Sequence, residues 1–132
     1  MRRVWMILVA AVLLLCSCGY SGNSMNEEKT YMQITQEEAK KMMDAQEDIL
    51  IVDVREQSEY DEGHVPGAVL LPVGTITEET AASVVADKDT VVLVYCRSGN
   101  RSKKAAKALV ELGYTQIYEF GGILDWSYEI ER

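Results

Sequence analysis

The chain has 132 residues and a formal net charge of -8, an acidic balance that argues against nucleic acid as a partner. It contains three cysteines and one histidine, and they do not form a cluster with metal-ligand spacing. No Gly-rich nucleotide fingerprint and no internal repeat occurs, so no cofactor is implied.

Residues 1–17 read as an export leader. Arg2 and Arg3 form a basic start, and residues 4–15 form an apolar run. That run is shorter than the ~20 residues a membrane span needs. The following Leu15-Cys16-Ser17-Cys18 resembles a bacterial lipoprotein box. The resemblance implies that Cys18 becomes the first mature residue and carries lipid, anchoring the protein to a bacterial cell membrane on its extracytoplasmic side. Residues 18–30 are rich in Ser, Gly, Asn and Glu and read as a flexible tether with a reach of roughly 20 Å. Residues 31–132 are left for one compact domain. With Cys16 removed and Cys18 lipidated, Cys96 is the single free thiol and has no internal disulfide partner.

Within the domain, residues 31–34 suit a short edge strand. Thr35 followed by Glu38 is a capping box, opening a helix to about Ala45 with Ala39, Met42 and Met43 on its apolar face. Residues 49–54 are β-branched and apolar up to Asp53, the pattern of a strand buried on both faces. Residues 68–71 form a short strand ended by Pro72. Thr77 caps a helix to about Ala86, and residues 87–89 make a turn. Residues 90–95 are a second buried strand. A helix over 103–112 turns Ala105, Ala106, Leu109 and Val110 inward and closes at Gly113. Residues 116–120 are the last strand, and a helix bearing Trp126 follows Gly121-Gly122. Strands alternating with helices imply an α/β domain. Its mostly parallel sheet, of about five strands, is flanked by helices on both faces.

The chemistry concentrates at Cys96-Arg97-Ser98-Gly99-Asn100-Arg101-Ser102. Cys96 stands at the carboxyl end of a buried strand, where ligands of open α/β sheets bind. The loop then enters a helix N-terminus, which favours an anion through its N–H groups and dipole. Arg97, Arg101, Lys103, Lys104 and Lys107 occur with no acid among them, in an otherwise acidic chain. Such surroundings lower a cysteine pKa and favour the thiolate. Lys103 and Lys104 would oppose the dipole if they lie in the first turn, or form a solvated face.

Cys96-x4-Arg101, with Arg97, Gly99 and Ser102, resembles the active-site loop of the rhodanese family of sulfurtransferases. Asp53-x-Arg55, then Glu59-Tyr60, then Gly63-His64-Val65-Pro66-Gly67-Ala68 resembles that family's first signature, and the last strand, Gly-Gly turn and Trp126 resemble its ending. The resemblance implies a rhodanese-like fold in which Arg55 and Glu59 pair and His64 is a scaffold residue in a turn. It implies that Cys96 takes a sulfane sulfur from a donor such as thiosulfate as a persulfide and passes it to a thiol or cyanide. The N–H groups from Arg97 through Ser98, Gly99, Asn100 and Arg101 to Ser102 would cradle that sulfur. The two arginines would hold the donor's oxyanion. Two other readings remain open. One is a phosphatase or arsenate reductase, which uses a Cys-x5-Arg loop; the other is a non-catalytic protein-binding module. The acting unit is expected to be a monomer.

Overall fold

The computed structural model describes residues 30–46 and 48–132. The expected leader, the candidate lipidation site Cys18 and nearly all of the expected tether lie outside the described residues. The elements are β1 (Met32–Gln33), α1 (Gln36–Ala45), β2 (Ile49–Asp53), α2 (Gln57–Glu62), β3 (Val69–Leu70), α3 (Glu78–Val84), β4 (Val91–Cys96), α4 (Asn100–Glu111) and β5 (Gln116–Gly122). Single 3₁₀ turns cover Val73–Thr75 and Ile123–Asp125.

All five strands pair in parallel, in the order β1-β5-β4-β2-β3. The expected edge strand and the two buried strands are therefore present, and the β-branched strand 91–96 occupies the middle of the sheet. Alternation along the strands divides the core. Val52, Val54, Val92, Val94, Cys96 and Ile117 face α3 and α4, packing on Ala81, Val85, Ala105, Ala106 and Leu109. Ile51, Leu93, Tyr95 and Phe120 face the other way, toward Ala39, Met42 and Met43 of α1 and Tyr60 of α2. Helices thus cover both faces, as the continuous apolar strands require.

The helix starts follow local chemistry. At α1 the Glu38 N–H donates to Thr35 Oγ1 at 3.1 Å and the Thr35 N–H donates to Glu38 Oε2 at 2.8 Å, completing the capping box. Thr77 and Thr80 repeat that arrangement at α3. Helix α2 has six residues, too short for periodicity to mark it in the sequence.

Three expectations are corrected. Helix α4 begins at Asn100, three residues before the expected start at Lys103, because Gly99 enters the left-handed region at φ 101° and serves as N-cap. Lys103 and Lys104 consequently fall past the first turn. The segment after Gly122 makes only a 3₁₀ turn, and Trp126 lies beyond it, half-buried against Phe120 at 5.6 Å between ring centroids. Arg55 does not pair with Glu59. Its Nη2 donates to Asp53 Oδ2 at 2.7 Å and to Gly63 O at 2.7 Å, and its Nε donates to Asp53 Oδ1 at 3.0 Å. Asp53 sits two residues back on β2 and is fully buried, so it captures the guanidinium first.

Candidate active site

Cys96 ends β4 and is buried beneath the loop that follows it. Arg97, Ser98 and Asn100 form the exposed rim of that loop, while Gly99 and Ser102 are buried. The Gly99 N–H donates to Cys96 Sγ at 3.0 Å. The Cys96 thiol donates to Ser102 Oγ at 3.4 Å. Burial alone pushes the Cys96 thiol up. The Ser102 hydroxyl and the backbone N–H groups of Ser102, Gly99 and Ser98 outweigh burial and bring it below its ordinary value. Three of the loop's expected N–H donors therefore act on the sulfur, and the start of α4 lies beside them.

The loop is held from two sides. Gly122 lies directly behind it, where a Cβ would stand 2.1 Å from Arg97 O and 2.6 Å from Ser98 Cα. Only a residue without a side chain lets β5 approach so closely. The Leu124 N–H then donates to that same Arg97 O at 3.2 Å. On the other side, Arg101 makes a bidentate pair with Glu59, Nη1 to Oε2 at 2.7 Å and Nη2 to Oε1 at 2.8 Å. The Arg101 hydrogen bonds hold the Glu59 carboxyl at about 2, well below its ordinary 4.5. Glu59 Oε2 also accepts the Glu56 N–H at 2.9 Å, so one carboxylate ties the start of α2 to the start of α4. Glu59 therefore pairs with Arg101 and braces the loop after Cys96, instead of pairing with Arg55.

Beneath the loop, the Tyr95 hydroxyl donates to Asp53 Oδ2 at 2.7 Å and accepts the Val65 N–H at 3.0 Å. Burial and Asp53 push the Tyr95 hydroxyl above its ordinary value, which keeps it a donor. This network locks β2, β4 and the 63–65 turn together under Cys96. His64 belongs to that turn. Its Nδ1 bonds Tyr60 O at 2.9 Å and its ring stacks on Tyr60 at 3.8 Å between centroids. Its Nε2 faces Glu131 at 3.5 Å. Because a carbonyl can only accept, Nδ1 carries a proton, and His64 is a scaffold residue of the turn.

One buried polar residue beside the thiol has no signal in the sequence pattern. Glu119 is 3% exposed, on the same sheet face as Cys96. Its Oε1 accepts the Ser102 hydroxyl at 2.6 Å and the Gly121 N–H at 2.8 Å. The register places Val94 opposite Glu119 and Cys96 opposite Gly122, a bulge that takes one extra residue on β5. An acid in a short apolar strand reads as solvent-facing; only strand pairing reveals that this one faces inward.

Comparison with known proteins places the chain in a family. The chain is 39% identical over 98 residues to the thiosulfate sulfurtransferase GlpE of Coxiella burnetii, covering 74% of this chain and 88% of that protein. It is 31% identical over 110 residues to a putative sulfur carrier protein of Bacillus subtilis, spanning 83% of this chain and 58% of that protein's length. In structure it is similar to a rhodanese with anions from E. coli, with a TM-score of 0.59 and 34% identity over 64% of this chain and 98% of that one. The family model of the rhodanese-like domain matches residues 35–129, and with these relatives it makes the chain a member of the rhodanese-like domain family.

Proposed function

We propose that the chain moves a sulfane sulfur from an anionic donor such as thiosulfate to a thiol or cyanide through a persulfide on Cys96. The observation that carries this reading is the cradle of N–H groups and the Ser102 hydroxyl around Sγ, which lowers the thiol pKa in a buried position. The Cys96 thiolate attacks the outer sulfur of thiosulfate. The new Sγ–S bond forms as the donor's S–S bond breaks, and sulfite leaves with the electron pair. The acceptor then removes the outer sulfur and returns the thiolate, giving two half-reactions. Arg97 on the exposed rim binds the donor's oxyanion, a charge-assisted contact. Arg101 gives part of its guanidinium to Glu59, so its main work is to position the loop.

The test is the mass of the purified domain after thiosulfate. A gain of one sulfur atom, lost on adding cyanide and absent in Cys96→Ser, supports the transfer. Phosphate release from an aryl phosphate without that gain would favour the oxyanion-hydrolase reading. Neither product would leave a binding module. The leader reading yields a companion proposal: lipid on Cys18 holds the domain at a bacterial membrane, facing away from the cytoplasm, and residues 18–30 act as its tether.

A further inference from the structure

Cys96, Ser102 and Glu119 form a chain of three buried polar groups, in which Sγ lies 3.4 Å from Ser102 Oγ and Oγ lies 2.6 Å from Glu119 Oε1. Cys96 and Ser102 are fully buried and Glu119 is 3% exposed. Counting the protons in this chain determines what it can hold. Two links need two protons, of which Ser102 supplies one; Gly99 O at 3.0 Å also stands within reach of that hydroxyl, but Glu119 Oε1 at 2.6 Å is the nearer acceptor. In one arrangement the thiol donates to Ser102 and Ser102 donates to the Glu119 carboxylate. In the other, Ser102 donates to a Cys96 thiolate and a neutral Glu119 carboxyl donates to Ser102. Both arrangements keep both links and carry one negative charge. Removing the second proton leaves one link unmade and sets two buried anions at either end of a single hydroxyl, which low-dielectric surroundings penalise.

We propose that Cys96 and Glu119 share one proton through Ser102, so that Glu119 takes the thiol proton when the nucleophile forms. The transfer balances without an oxidant. The Sγ–H bond breaks as Ser102 Oγ takes that proton, and the Ser102 O–H bond breaks as Glu119 Oε1 takes its proton. The products are a thiolate and a carboxylic acid, with no electron transferred. Glu119 also borders a cleft of about 490 Å³ between the loop and the start of α1, lined in part by Gln36, Ser98, Lys103 and Asp125. That cleft gives the carboxyl a path for exchanging its proton with water. The other charged groups around the chain are Arg101 with its Glu59 partner, Lys103 of α4 and Asp125 on the cleft, and Arg97 on the outer rim. His64 serves the 63–65 turn, which leaves Glu119 as the carboxylate bonded to the thiol's own partner. Glu119 acts through Ser102 and is a positioning and proton-holding residue.

This inference rests on Cys96 as the nucleophile, but its test needs no sulfur transfer. Alkylation of Cys96 by iodoacetamide is followed against pH in the wild type, Glu119→Gln and Ser102→Ala, each checked by circular dichroism. The wild type should react in two pH steps, belonging to the pair and not to either residue. Glu119→Gln keeps an acceptor for the Gly121 N–H and removes the second acid. It should show one step and react about tenfold faster than wild type in the interval between the two wild-type steps. Ser102→Ala should lose the lower step. Superimposable single-step curves for the wild type and Glu119→Gln overturn the proposal. So does a shift of the Glu119→Gln curve to higher pH, which would make Glu119 only a prop for Ser102. Failure of thiosulfate turnover with these profiles intact would overturn the sulfur-transfer reading alone.

Discussion

Ser102 and Cys96 differ by one atom in their side chains, yet only the thiol is an acid of useful strength in water, and its surroundings lower its pKa further. Cys96→Ser is expected to abolish thiosulfate:cyanide transfer while leaving the thermal melt within a few degrees of wild type; steady-state assay and calorimetry on one preparation check both halves. Arg97→Ala would remove the proposed charge-assisted contact to the donor, of a kind worth ~1.5–3 kcal/mol, so KM for thiosulfate should rise by about ten- to a hundredfold. Unchanged KM at low ionic strength would make Arg97 a solvated rim residue. His64 is bonded to Tyr60 O and stacked on Tyr60. His64→Ala should therefore cost about 1–3 kcal/mol of stability and leave the pH dependence of Cys96 alkylation in place, which denaturant titration and alkylation kinetics separate.

Between elements, the loop after Cys96 is fixed by contacts that bridge α2, α4 and β5. The Glu59 carboxylate is held at about 2, below its ordinary 4.5, chiefly by its hydrogen bonds to Arg101. Since the folded-state value lies below the unfolded one, the Glu59–Arg101 pair adds stability above about pH 4.5. That increment is lost as pH falls from there toward about 2. The pair is about a quarter exposed, so after solvent screening the increment is of order 1 kcal/mol. Glu59→Gln should lower stability at pH 7 by that amount and flatten the fall in melting temperature between pH 5 and pH 2. Equal slopes for wild type and variant would remove the pair from the acid transition. At the back of the loop, Gly122→Ala would place a Cβ 2.1 Å from Arg97 O. Either β5 or the loop must move. Iodoacetamide reactivity of Cys96 should change several-fold even where the variant still folds, and an unchanged rate would mean that β5 yields instead.

At the scale of the whole molecule, the α/β order places one thiol at the carboxyl end of the central strand, with helices covering both faces of a five-stranded parallel sheet. Export would put that thiol within reach of oxidants, and a thiolate is oxidised more readily than a thiol. Cys18→Ala is expected to release the protein from membranes or block its processing, and globomycin should make the precursor accumulate. Full-length protein recovered from the cytoplasm with residues 1–17 attached would sink the anchor reading.

The sequence alone determined whatever depends on near neighbours along the chain. Thr35 and Glu38 cap α1 because their partners lie three residues apart. The β-branched runs at 49–54 and 90–95 read as buried strands, so the sheet and the position of Cys96 were legible. So was the cradle, because Gly99 and Ser102 lie within six residues of the thiol. The tertiary structure decided the pairings that skip along the chain. Asp53 takes Arg55 and leaves Glu59 to Arg101, 42 residues away, because the parallel order brings α2 beside the start of α4. Glu119 turns inward because the parallel register of β5 on β4 sets it opposite Val94, on the sheet face that Cys96 shares. A side chain's own chemistry is written in the sequence, but which of two nearby charges it meets depends on distances that folding alone creates.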